Sequence, residues 1–348
     1  MTELQLACPT PLQYEHIVMA HGGGGRMMQQ LLEGIVQPTF DNAILRQQHD
    51  SAVLDIPNHR LAFTTDSYVV KPLFFPGGDI GKLAVCGTLN DLAMSGAKPM
   101  YLSCSLIIEE GLPIADLKRI LQSMRETAAN AGVAIVTGDT KVVDHGKGDG
   151  LYINTAGIGV IEHDQQIQPQ AIQTGDAIII NSDLARHGIA VMLERDGLRF
   201  EHPIASDCAD LSALVGELLA ADVEIHCLRD LTRGGLASVL LELAGNANRH
   251  FEIKERALPI QAPVRSACDI LGFDPMYVAN EGCFALFLPQ AYAKKALEIM
   301  QNHPLGQQAI QIGQVLGAKS GGHVTLETTF GISRVLALLS GEQLPRIC

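Results

Sequence analysis

The chain has 348 residues, with 25 Lys+Arg against 38 Asp+Glu and a formal net charge of −13; such a surface repels nucleic acid rather than gathering it. With 47% hydrophobic residues it can bury a large core, which excludes disorder, collagen and coiled coil, and its length favours two domains. Only 18% of residues are charged while 34 are glycine, so backbone set close to a ligand is a theme.

In chain order, the first notable segment is His21-Gly22-Gly23-Gly24-Gly25-Arg26, ahead of a helical pattern from Met27 to Val36. Four glycines let amides approach a phosphate at a helix start, and they also suit a flexible linker. No GK[ST] follows, so this is not a P-loop, and no strand-to-GxGxxG context marks a dinucleotide turn.

A strand is predicted over Leu61 to Val70, then a helix over Gly81 to Ser95, where Leu83, Cys86, Leu89, Asn90 and Ala93 recur at three- and four-residue steps. A second pair follows, with a strand at Tyr101 to Ile108 and a helix at Pro113 to Ala131, Gly132 lying beyond its end. Strands at Val133 to Val136 and Leu151 to Ile161 flank the loop TGDTKVVDHGKGDG. The order β-α-β-α-β-β is an α+β, ferredoxin-like layer.

The Gln- and Pro-rich stretch Asp164 to Gln173 is a linker. Beyond it lie a strand (Ala177 to Asn181), helices at His187 to Arg195, Ser212 to Ala221 and after Gly235, and strands near Phe251 to Ile253 and Phe284 to Leu288. The expected organisation is an N-terminal segment (1–40), a first mixed domain (41–163), a second α/β domain (174–341) and a mobile tail (342–348). The tail, EQLPRIC, lacks apolar periodicity, and Pro345 makes Leu344 extended. The charge-free stretch Ile299 to Ala318 is interrupted by Gln, Asn, His, Pro and Gly and will not span a bilayer, and no secretion signal is visible. Eight cysteines show no CxxC pair and read as reduced thiols of a cytoplasmic protein.

Chemistry is suggested by aspartates at strand ends or helix starts: Asp50, Asp66, Asp91, Asp139 and Asp230. Carboxylates from separate segments suit an oxygen-liganded Mg²⁺ shared with nucleotide phosphates, and each alone also suits a cap or turn. Asp139-Thr140-Lys141 adds a cation and a hydroxyl, and Arg229-Asp230-Leu231-Thr232-Arg233-Gly234-Gly235 adds two arginines beside paired glycines, a pattern for phosphate chemistry. Glu281, in Asn280-Glu281-Gly282, reads as a base or a turn residue. Cys348 reads as a carried substrate thiol or an incidental exposed cysteine. The histidines are isolated, which argues against zinc and against a Ser/His/Asp triad.

Together GGGGR, FTTDSYVVKPLFFPGGDIGKLAVCGTLNDLAMSGAKPMYLS, IVTGDTKVV, RDLTRGGLASVL, ANEG and PRIC closely resemble the HypE family of hydrogenase expression/formation proteins, from about His21 to Cys348. All but PRIC are shared with aminoimidazole ribonucleotide synthetase and selenophosphate synthetase. The resemblance implies two α/β domains, the first dimerising through its sheet into a homodimer. It implies ATP and Mg²⁺, a terminal cysteine (here Cys348) carbamoylated by the carbamoyltransferase HypF and dehydrated to a thiocyanate, and cyanide passed to iron held by the HypC-HypD complex. By resemblance Asp50, Asp66, Asp91 and Asp230 match the Mg²⁺ and phosphate carboxylates. Gly22 to Gly25, Asp66, Asn90, Asp139, Thr140 and Lys141 match nucleotide-binding segments, and Glu281 and Lys141 match the proposed bases. The alternative is a related ATP-dependent synthetase acting on a free small molecule.

Overall fold

The computed structural model describes residues 25–36, 45–56, 59–198, 203–339 and 347–348. A short helix, α1 (Arg26–Leu31), continues into a π turn over Leu32–Val36. The first sheet has the order β1-β2-β7-β5-β6, from β1 (Ala52–Ile56), β2 (His59–Tyr68), β5 (Lys98–Glu109), β6 (Ala134–Val143) and β7 (Leu151–Ile161). A two-strand hairpin, β3 (Phe74–Phe75) and β4 (Gly78–Asp79), leads into helix α2 (Ile80–Met94). Helix α3 (Ile114–Asn130) joins β5 to β6, which are parallel, while every other pair in the sheet is antiparallel. β7 inserts between β2 and β5, so β2-α2-β5 is a split βαβ unit and the predicted α+β layer is present.

Helix α2 is apolar on every side, the mark of a helix with no solvent face. Only Lys82 and Asp91 escape full burial, and each fully buried leucine such as Leu83, Leu89 or Leu92 contributes roughly 1.5–3 kcal/mol. Asp79 caps its start, accepting from the Gly81 and Lys82 amides at 2.7 and 3.2 Å. One side of α2 packs on β2 and β7, and the other meets the second domain, so Asp91 is carried into the contact between the two sheets.

The second sheet runs β14-β13-β10-β12-β8-β11-β9. Its strands are β8 (Asp176–Ile180), β9 (Cys227–Asp230), β10 (Arg249–Lys254), β11 (Phe284–Pro289), β12 (Ile310–Ala318), β13 (His323–Glu327) and β14 (Ser333–Val335). Only β10 and β13 are parallel. Helices α4 (Arg186–Asp196), α5 (Ser212–Ala220), α6 (Gly235–Ala247), α7 (Ala262–Leu271) and α8 (Gln290–Asn302) accompany it. β8 is buried at every position, and after Asp176 it is a continuous apolar run, as a central strand is.

Two features differ from the sequence-based reading. The strand expected to end at Val136 continues to Val143, so Asp139, Thr140 and Lys141 belong to β6 rather than to a loop. Gly and Asp are depleted in strands, which hid the continuation; here a Cβ on Gly138 would lie 1.9 Å from the Cys104 carbonyl, so only glycine lets β6 approach β5. The tail expected to be mobile ends in a buried pair, Ile347 at 2% and Cys348 at 9% exposure, with 340–346 outside the described residues. No helix among the described residues is long and apolar enough to cross a membrane.

Candidate functional site

Asp50, Asp91 and Asp230 converge, each offering a carboxylate oxygen within 4.8 Å of the others. Asp50 comes from the segment before β1, Asp91 from α2 and Asp230 from the end of β9, so both domains build the cluster. The Thr64 hydroxyl on β2 donates to Asp91 Oδ2 at 2.7 Å, and Arg229 Nε meets Asp50 Oδ1 at 2.6 Å while its other end reaches Glu242 at 3.3 Å. Burial pushes Asp50 and Asp91 well above the ordinary carboxylate range; Asp230 adds to both, though Arg229 partly offsets the rise at Asp50. Asp230 is raised to about 6, again chiefly by burial. Asp50 Oδ2 is buried with no hydrogen-bond partner. Three hard oxygen donors held close, one of them paired with Arg229 and keeping an orphaned oxygen, fit a divalent ion such as Mg²⁺.

Asp66 stands beside this trio on β2, its carboxylate accepting from the Ser67 amide at 2.8 Å. Burial raises it, and the Arg233 guanidinium opposes that rise. The same guanidinium acts on Cys348, whose thiol is pushed up first by burial and then by Glu281, Asp66 and Asp230. Cys348 therefore lies among the site's charged groups as a protonated thiol.

Glu281 is 3% exposed and its Oε1 has no partner. Burial raises it well above the usual range, with Cys208, Asp230, Asp207 and Asp66 adding to the effect. Its backbone is fastened from all sides. The Glu281 and Gly282 amides donate to the Asp207 carboxylate at 3.1 and 3.0 Å, and a Cβ on Gly282 would strike the Asp207 carbonyl at 2.0 Å. Asn280 accepts from the Ala185 amide at 2.7 Å and donates to the Leu231 carbonyl at 2.9 Å. Asn280 and Gly282 thus set the loop, leaving Glu281 Oε1 unpaired inside the protein.

Other sequence candidates lie elsewhere. Gly22, Gly23 and Gly24 fall outside the described residues; Gly25 is buried before α1, its carbonyl accepting from Gln29 at 3.1 Å. Asn90, next to Asp91 on α2, holds the two domains together through its side chain. Its amide donates to the Ala209 carbonyl at 3.1 Å and lies 3.4 Å from that of Glu281, while Oδ1 accepts from Leu211 at 2.9 Å, tying α2 to the second domain. Asp139 and Lys141 are exposed and paired with each other at 2.6 Å; that partner keeps the Asp139 carboxyl below its usual range. Three strand spacings separate β6 from β2, roughly 14 Å, so within one chain Asp139, Thr140 and Lys141 stand apart from Asp66. Sequence reasoning missed the roles of Asp207, Ser206 and His187, because SDCAD has no periodic pattern and a lone histidine carries no spacing signal.

Comparison with known proteins is decisive. The AIR synthase related protein models match at residues 48–161 for the N-terminal domain and 173–325 for the C-terminal domain. A "Carbamoyl dehydratase HypE" from Azotobacter vinelandii is 49% identical over 332 residues, 95% of this chain and 97% of that protein. The chain belongs to the HypE family. Among solved structures, HypE in complex with ATP superposes with a TM-score of 0.80 at 45% identity, covering 96% of this chain and all 100% of that one. A HypE-HypF complex gives 0.84 at 45% identity, covering 89% and 99%. The AIR synthase related models stop at residue 325, short of the PRIC ending.

Proposed function

We propose that this HypE-family chain is an ATP-dependent carbamoyl dehydratase of hydrogenase maturation that acts on its own Cys348. One observation carries the reading: Cys348 is buried within electrostatic reach of Glu281, Asp66 and Asp230, the last of these part of a carboxylate cluster suited to a nucleotide's cation. A synthetase acting on a free small molecule has no use for a terminal thiol in that place.

The substrate is the thiocarbamate on Cys348, formed when HypF transfers a carbamoyl group to the thiol. Its oxygen is a poor leaving group until it attacks the γ-phosphorus of ATP, breaking the bond to ADP and forming an O-phosphate. One nitrogen proton is lost as the C=N bond forms; loss of the second lets the C–O bond break, expelling phosphate and leaving S–C≡N. The elements of one water end up in ADP and phosphate. Glu281 is the base for one of these protons, because a desolvated carboxyl with a raised affinity for protons suits a weakly acidic nitrogen, and the other goes to a second base. Asp50, Asp91 and Asp230, with Asp66 nearby, would hold a Mg²⁺ ion, which would supply charge neutralisation of the phosphates. Arg233 lies where it can neutralise the transferred phosphoryl group, close to both Asp66 and Cys348.

The uncovered face of the first sheet carries Phe63, Tyr101, Ile107 and Ile158, each at least 41% exposed, which supports a homodimer through this sheet. Asp139 and Lys141 share that face, opposite Ser105 and Ile107 in register, so their place in the nucleotide site, with Lys141 as second base, comes through the second copy. HypF is the carbamoyl donor, and the HypC-HypD complex takes the cyanide in the cytoplasm.

The reading is tested by stoichiometry. A chain that consumes its own modified residue releases one ADP per carbamoylated Cys348 and then stops until it is carbamoylated again. Continued ATP turnover on a free small molecule by the Cys348→Ala variant would favour the synthetase alternative.

A further inference from the structure

The two buried residues at 347 and 348 pack in the hydrophobic core and are met there by a polar side chain. His187, in the first turn of α4 and fully buried, places Nε2 2.7 Å from the Ile347 carbonyl oxygen. Its Nδ1 lies 2.9 Å from Ser206 Oγ. The Ile347 carbonyl can only accept, so the ring proton sits on Nε2 and donates to it, which leaves Nδ1 to accept from Ser206 Oγ, an oxygen that itself accepts from the Cys208 amide at 3.0 Å. Phe75 meets the ring edge-on at 5.4 Å, and the Ser206 amide donates to the Pro76 carbonyl at 2.8 Å, so the β3-β4 hairpin fixes both ring and serine. Burial lowers the imidazole's basicity, with the Asp207 carboxylate opposing, which keeps the single-proton form this arrangement uses.

We propose that His187 is a positioning residue, a latch on the Ile347 carbonyl that seats the Cys348 thiol beside Glu281, with Ser206 selecting the tautomer that can hold it. Core packing of Ile347 supplies the apolar part of the anchorage, and the His187 contact supplies a polar one that fixes its orientation. The proposal deepens the dehydratase reading: the latch opens when the thiol goes out to its carbamoyl donor and closes to present the thiocarbamate for dehydration. Only the purpose of the open state rests on that reading.

The test is iodoacetamide alkylation of the full-length protein without nucleotide, mapped by peptide mass, with the buried thiols of Cys227 and Cys283 as monitors of general loosening. His187→Leu is expected to raise the Cys348 rate about tenfold, equivalent to about 1.4 kcal/mol, with both monitors unchanged. His187→Gln, whose amide can still donate, keeps most of the protection, and Ser206→Ala gives a several-fold rise. In carbamoylation by HypF the leucine variant is faster and in dehydration slower, while its ADP per modified cysteine stays at one. If His187→Leu loosens the monitors, Ser206→Ala decides: a rise at Cys348 alone supports the latch. An unchanged Cys348 rate in both variants, or a rise shared with Cys227 and Cys283 in both, overturns it and leaves the single-turnover result untouched.

Discussion

Glu281→Gln is expected to bind ATP as the parent does and to dehydrate carbamoylated Cys348 about 10²–10⁴ times more slowly. The substitution keeps side-chain shape and leaves the Asp207 contacts to the 281 and 282 amides intact, so the loop stays in place. What it removes is an acceptor for protons. The Glu281 carboxyl is available for that task because Asn280 and Gly282 satisfy the loop's structural needs and Oε1 has no partner. Rapid-quench measurement of thiocyanate in a single turnover, beside calorimetric ATP titration, separates the two steps. Dehydration within a few-fold of the parent would remove Glu281 from the role of base.

Asp91→Asn is expected to move two properties in opposite directions. Mg·ATP affinity falls at least tenfold, about 1.4 kcal/mol, because one of three convergent carboxylates no longer offers charge. Stability without metal or nucleotide rises, because Asp50, Asp230 and Asp66 each push Asp91 upward through repulsion on top of its burial. The sign follows from linkage: a carboxyl raised above its unfolded value costs stability once pH exceeds that unfolded value, and asparagine does not ionise. The Thr64 hydroxyl keeps an acceptor in the amide oxygen, so the loss of a hydrogen bond does not confuse the comparison. Thermal denaturation in chelator and nucleotide titration with magnesium measure the pair. Unchanged affinity would contradict the metal assignment.

How much of this was legible before the structure varied with how local the signal is. The α2 helix and the strands around it follow from apolar spacing, and Asp50, Asp91 and Asp230 were visible as carboxylates at element ends. Asp139 to Lys141 looked like a loop because Gly138 breaks strand propensity, and the reason for that glycine, the Cys104 carbonyl, is on another strand. The domain-bridging contacts of Asn90 were equally hidden, because its partners, Ala209 and Leu211, lie about 120 residues away. The tail is the clearest case. Nothing near Pro345 predicts burial, since the group that holds Ile347 is His187, separated by 160 residues. Contacts of that span leave no period and no motif in a single chain.

The most direct test of the central claim is the intact mass of the carbamoylated protein before and after addition of Mg·ATP. The account predicts that the adduct on Cys348 loses the mass of one water, in step with one ADP and one phosphate released, and that Cys348→Ala shows neither adduct nor loss. A carbamoyl adduct that maps to another residue, or one on Cys348 that keeps its full mass while ATP is consumed, would contradict it.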